Sequence, residues 1–143
     1  MNRRHRERGT ALIEAAITLP LLLMLMVGIF EVGRAYQTWQ VVTNAAREGA
    51  RLSTTPSATV DTAKAIVNKY LADGQLGGTA AVNVDRQATI TVNGATVGAS
   101  LVTVDYPFNF IMLNPIVRLV SPTATVGAPI TMHATALMRN EAQ

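Results

Sequence analysis

The chain contains no cysteine, so disulfides and thiolate metal sites are excluded and any domain it forms is held by its core alone. Histidine is almost as scarce: His5 lies in a basic N-terminal cluster, and His133 stands alone between Met132 and Ala134, where a sheet-surface position is the default. No His, Asp or Glu group has metal-ligand spacing, and neither a G-x-S-x-G elbow nor a glycine-rich phosphate loop occurs. Asp61, Asp73, Asp85 and Asp105 are scattered near the ends of expected elements, where solvated or capping roles are usual. Repeats and low-complexity tracts are missing too. These absences argue against an enzyme, a cofactor and a small-molecule substrate. One further absence is local: Ala15 to Phe30 carries no charge at all.

What is there begins with that uncharged run. Thr10 to Phe30 as a helix rises about 31 Å, roughly the hydrocarbon thickness of a bilayer. Glu14 is its single charge, and Leu19 to Ile29 shows no polar face of the kind a soluble core helix needs. Pro20 lacks an N–H and loosens the helix locally, which membrane helices tolerate better than soluble ones. A membrane span is expected. Arg3, Arg4, Arg6 and Arg8 precede it, so the positive-inside rule keeps the N-terminus cytoplasmic and sends the remainder across the membrane.

An ordinary secretory signal also starts basic and turns apolar, but it ends in a small-x-small cleavage site. Here the apolar stretch runs on into Gly28-Ile29-Phe30-Glu31-Val32-Gly33-Arg34 with no such site. Cleavage after the span is disfavoured, while cleavage before it, after Gly9, stays open. Removing four arginines and Glu7 from 12 basic and 9 acidic residues leaves eight of each. The basic character therefore belongs to the leader, and nucleic acid is not an expected partner.

Gly9-Thr10-Ala11-Leu12-Ile13-Glu14 resembles the type IV prepilin processing motif, in which a glycine and four mostly apolar residues precede a glutamate. The longer string Arg8 to Leu23 resembles the TadE-like proteins of tight-adherence (Tad/Flp) pilus systems, as do Gly28-x-x-Glu31-x-Gly33-Arg34 and Ala45-Ala46-Arg47-Glu48-Gly49-Ala50-Arg51. The closing segment Ile130 to Glu141 also resembles the family's last strand, and Ile13 and Ala15 are mild departures. The resemblance implies cleavage between Gly9 and Thr10 by a prepilin peptidase at the cytoplasmic face of a bacterial inner membrane, with the C-terminal domain periplasmic or extracytoplasmic. It also implies that Glu14 pairs with the new α-amino group of Thr10 in an adjacent subunit; the bland alternative is a carboxylate that snorkels to the surface from less than two turns inside the span. The partners it implies are the major Flp-type pilin, other minor pilins and the Tad assembly platform.

Beyond the span, the helix is expected to continue from residue 34 to residue 52, with Tyr36 and Trp39 near the outer interface, where amphipathic aromatics prefer to sit. Ala45, Ala46, Gly49 and Ala50 form a small-residue patch suited to close helix packing, either on the protein's own sheet or on a neighbouring subunit. Ser53 to Ser57 reads as a linker. A second helix is expected over residues 59–72, with Ala63, Ile66, Val67, Tyr70 and Leu71 on one face, stopped by Asp73-Gly74 and Gly77-Gly78. The period then changes to two. Strands are expected at Ala81–Val84, Ala88–Val92, Leu101–Tyr106 (Val102, Val104 and Tyr106 on one face) and Ile130–Met138, with a turn at Asn93-Gly94. Between the last two, Pro107 to Pro122 is an apolar excursion, either a short helix covering the sheet or an exposed patch for a partner or the membrane.

The expected architecture is α+β: a leader (1–9), a transmembrane helix (10–33), its extension (34–52), and a small exported domain (53–143) with one helix on an antiparallel sheet of three to four strands. Two other readings compete. A type II secretion or type IVa pseudopilin shares the leader logic but does not account for the Gly28–Arg34 and Ala45–Arg51 strings. A membrane-anchored exported enzyme or binding module would keep its N-terminus and present a pocket with convergent polar groups within residues 56–143.

Overall fold

In the computed structural model, residues 3–78, 80–120, 123, 125 and 127–141 are described. Met1 and Asn2 of the leader and Pro122 of the apolar excursion lie outside the described residues. Six elements follow in order: α1 (Arg3–Ser53), α2 (Val60–Asp73), β1 (Ala81–Val92), β2 (Ala95–Phe108), α3 (Leu113–Val120) and β3 (Ile130–Arg139). The fold is α+β, and among the described residues the sheet has three strands.

The first half of α1 carries its apolar side chains on every face. From Leu12, 72% exposed, to Phe30, 52% exposed, none of the large ones is buried by the chain. An amphipathic stripe would bury one face; this segment has none, and it is long and apolar enough to cross a membrane. Pro20 is accommodated inside the helix. Two residues before it, the Thr18 hydroxyl donates to the Glu14 carbonyl at 2.7 Å.

The chain forms two compact units. The first joins α1 up to Arg34 with Phe110–Gly127, which contains α3. The apolar excursion therefore holds a short helix, grouped in one unit with the apolar stretch of α1. Its closing turn is tied internally, since Asn114 Nδ2 donates to the Gly127 carbonyl at 2.9 Å.

The second unit, Ala35–Asn109 with Ala128–Gln143, contains the rest of α1, α2 and the sheet. Strand order is β1-β2-β3, antiparallel throughout. The core is Val42, Ala45, Ala46 and Ala50 of α1, Ala63, Val67 and Leu71 of α2, and Val84, Val102, Val104, Ala134 and Ala136 of the sheet. Val102 and Val104 face inward at period two, with Tyr106 only half-buried. On α2, Tyr70 departs from the expected buried face and is 37% exposed.

Local chemistry explains where these elements start and stop. Thr59 caps α2: its hydroxyl accepts from Thr62 N, while Thr62 Oγ1 accepts from Thr59 N, a reciprocal box built from two threonines. At the other end the left-handed residue is Gln75 (φ 62°), not Gly74. Gly74 is there for space, because a Cβ on it would lie 2.5 Å from Val41 Cγ1. Asn93 and Gly94 both have positive φ (52° and 81°), the geometry of a two-residue hairpin turn that matches strand twist. The two strands expected before this turn are one strand, interrupted by a bulge between Asp85 and Ala88. Asp85 Oδ1 accepts from Gln87 N at 2.8 Å and stabilises the bulge without ending the strand.

Candidate functional site

Gly9, Thr10 and Glu14 lie in the continuous helix, and Arg3, Arg4, Arg6 and Arg8 occupy its first turns. A Cβ on Gly9 would meet nothing within 4 Å, so no packing within the chain requires glycine there. Thr10 and Glu14 are four residues apart and hence on one face of the helix. Both are exposed.

A second constellation lies at the end of the apolar stretch. Glu31 is 1% exposed and follows directly on Phe30. Its Oε2 accepts from Arg34 Nη2 at 3.0 Å, one turn further on. Its Oε1 accepts from the backbone N–H of Met112 at 2.5 Å and of Leu113 at 3.4 Å. Leu113 is the first residue of α3, so the carboxylate caps the orphan donors of a helix more than 80 positions away in sequence, where a negative charge also suits the helix dipole. Sequence reading placed Glu31 inside a family string and assigned it no structural task. Its partners are backbone N–H groups, which carry no residue-type signal. Gly28 and Gly33 of the same string face open space at their Cβ positions, and nothing in the chain's own packing explains them. Glu31→Ala is expected to remove the carboxylate to which two N–H groups donate and with which Arg34 pairs, costing about 2–4 kcal/mol of local stability. Hydrogen exchange at Met112 and Leu113 measures it.

The small-residue patch packs inside the domain: Ala45, Ala46 and Ala50 are fully buried. A Cβ on Gly49 would sit 2.4 Å from Val67 Cγ2 and 3.4 Å from Val102 Cγ1, so α2 and β2 close over this position. Tyr36 and Trp39 remain exposed, with ring centroids 6.1 Å apart, and Gln40 Nε2 donates to the Tyr36 hydroxyl at 2.6 Å. Arg51, in the last turn of α1, donates twice to Glu48 (2.6 and 3.0 Å). Hydrogen bonding from Arg51 holds the Glu48 carboxyl below the ordinary glutamate range, against a smaller opposing effect of burial. A depressed carboxyl pKa adds stability at neutral pH that is lost as pH falls through that folded value. For so exposed a pair the contribution is small.

Arg86 was also missed. It sits in the β1 bulge, which turns its guanidinium toward the end of α1 and the linker. Nε donates to the Ser53 carbonyl at 3.2 Å, Nη2 to the Thr55 carbonyl at 3.0 Å, and Nη1 to the Ala58 carbonyl. The Ser100 hydroxyl bridges the Ser53 carbonyl (3.1 Å) and the Asn140 side chain (2.7 Å). The expected linker is thus a fixed corner. A bulge, the only sequence signal for this clamp, reads as a strand break when no partner strand is in view.

His133 is not alone in space: Nδ1 lies 2.6 Å from Asp105 Oδ1, its cross-strand partner on the exposed sheet face. Among the described residues, no group of three or more His, Cys, Asp or Glu side chains could hold a metal. A depression of about 200 Å³ beside α2 is lined by Asn68, Leu71, Leu76, Gly78 and Ala80, none of them titratable.

Fold and site together define a class: a small α+β domain following an apolar N-terminal helix of membrane-crossing length. Residues 9–51, less than a third of the chain, match the family described as TadE-like protein. The match associates it with Tad pilus systems, and its N-terminal helix fits the membrane anchor of such a protein. No curated protein and no solved structure matches the chain significantly.

Proposed function

We propose that the protein is a minor pilin, or pseudopilin, that acts as a non-enzymatic building block in assembling or initiating a Tad/Flp-type pilus. Inserted with its N-terminus cytoplasmic, it is cut between Gly9 and Thr10 by a prepilin peptidase and retained by the span of residues 10–33. Its partners are the major Flp-type pilin, other minor pilins and the assembly platform. The observation that carries the reading is the family match, which begins at Gly9 and runs through Glu14 and the whole apolar stretch. An open environment at Gly9 also suits a peptide that must enter a protease site as bare backbone.

In this reading, Glu14 takes the new amine of Thr10 on a neighbouring subunit. A carboxylate and an ammonium are each costly in hydrocarbon, and a pair made only between subunits favours assembly over the isolated chain. N-terminal sequencing of membrane-extracted protein, with and without the peptidase, tests the processing. A start at Thr10 that depends on the peptidase is expected; an intact Met1, or a cut beyond Ala35, would overturn the reading. Glu14→Ala is expected to insert and be cleaved as the parent is, yet fail to enter pili. Normal piliation in that variant would remove the pairing role.

A further inference from the structure

We infer that Phe110–Arg118 is a membrane-contact element, held by Glu31 at the bilayer boundary so that Ile111, Met112 and Ile116 enter the lipid interface. The inference rests on the membrane reading of residues 10–33. If that stretch spans, Glu31 marks where hydrocarbon ends, because it is the first charge after the uncharged run that closes at Phe30. A backbone N–H within hydrogen-bond distance of its carboxylate must lie near the same depth, so Met112 and Leu113 are placed at the boundary.

The segment has the chemistry for that depth. Pro107 to Val117 contains no charged residue, and Arg118 follows in the last turn of α3. Ile111 is 58% exposed, Met112 45% and Ile116 37%, with Met112 and Ile116 one turn apart on the same helical face. Exposed apolar side chains on a short helix beside a membrane helix lower their free energy by entering the acyl boundary.

The backbone fits as well. A helix start at that depth has little water for its orphan donors. Met112 and Leu113 donate to Glu31, Pro115 has no N–H to satisfy, and Ile116 donates to the Met112 carbonyl at 3.2 Å. Glu31 is in turn neutralised by Arg34. A second copy of the chain is the competing occupant of this face. Lipid is favoured because the patch is continuous in depth with the apolar span and forms one compact unit with it.

The absence of native cysteine allows a direct test. Met112→Cys, Ile116→Cys, Leu22→Cys and Ala65→Cys are made separately in the full chain. Each is reconstituted at low protein density in phosphatidylethanolamine/phosphatidylglycerol vesicles and treated with a charged maleimide present on both faces. Labelling at positions 112 and 116 is expected to be about tenfold slower than at the exposed Ala65 site, the protection an apolar face buried at the acyl boundary provides. Fast labelling at 112 and 116 with Leu22→Cys protected would overturn the inference and leave the span standing. Fast labelling at all four positions would overturn both. Protection that appears only at high protein density would assign the face to a second copy and overturn the lipid assignment. Adding Glu31→Ala is expected to restore labelling at position 112 while position 22 stays protected; unchanged protection at 112 would overturn the tether. As a check independent of cysteine, Ile116→Trp in a Trp39→Phe background is expected to be quenched by lipids brominated near the headgroup, and no quenching would count against insertion.

Discussion

Gly49→Leu is expected to unfold the α1–α2 packing, whereas Gly33→Ala on the same helix is expected to be neutral or stabilising. Both positions are glycines inside α1, where alanine gains about 1 kcal/mol in helix propensity. Only one of them has a neighbour. At Gly33 a Cβ meets nothing within 4 Å; at Gly49 it would approach Val67 Cγ2 to 2.4 Å, and something must move. Valine cannot turn aside easily, because branching at Cβ restricts its χ1. Overpacking of a tight core costs about 1–3 kcal/mol, enough to outweigh the propensity gain for alanine. A leucine's three further carbons exceed what repacking can absorb. Thermal unfolding of the detergent-solubilised chain measures the series Gly49→Ala, Gly49→Leu and Gly33→Ala. Equal stability of Gly49→Leu and the parent would show that the two helices do not close over this position.

The second large effect is expected at Arg86. Arg86→Ala withdraws three donors from carbonyls of the corner that joins α1 to α2. Bonds to a charged donor contribute about 1.5–3 kcal/mol each, but they share one side chain and water reaches a half-buried site, so about 2–4 kcal/mol in total is expected. Arg86→Lys keeps the charge and loses the planar fork, and a point donor on a flexible stem cannot serve three carbonyls at once. It is therefore expected to recover less than half of the loss. Urea midpoints of the two variants give the comparison, and hydrogen exchange over residues 53–58 localises it. A lysine variant as stable as the parent would mean that charge, not geometry, holds the corner.

These two positions show what could be read early and what could not. The string holding Gly49 was visible as a small-residue patch, because residue size is written in the chain. Which surface it would meet was open, since a neighbouring subunit fits small residues as well as the protein's own helix does. Arg86 gave no comparable sign. An arginine in an alternating segment normally points to solvent; only the bulge, which exists by reference to β2, turns it inward.

The apolar helix, the second helix with its start at Thr59, the Asn93-Gly94 hairpin and the inward face of Val102 and Val104 were determined by the sequence alone. Each follows from hydropathy, capping chemistry or periodicity acting within a few residues. The joining of two expected strands into β1, the company α3 keeps, the Asp105–His133 contact and the Glu31 cap were decided only in three dimensions. Glu31 shows the reason most directly. Its residue type was plain, but its acceptor capacity was met by backbone donors 81 and 82 positions away. Every residue except proline offers such a donor, so local sequence names the group that must be satisfied, and only tertiary structure chooses its partner.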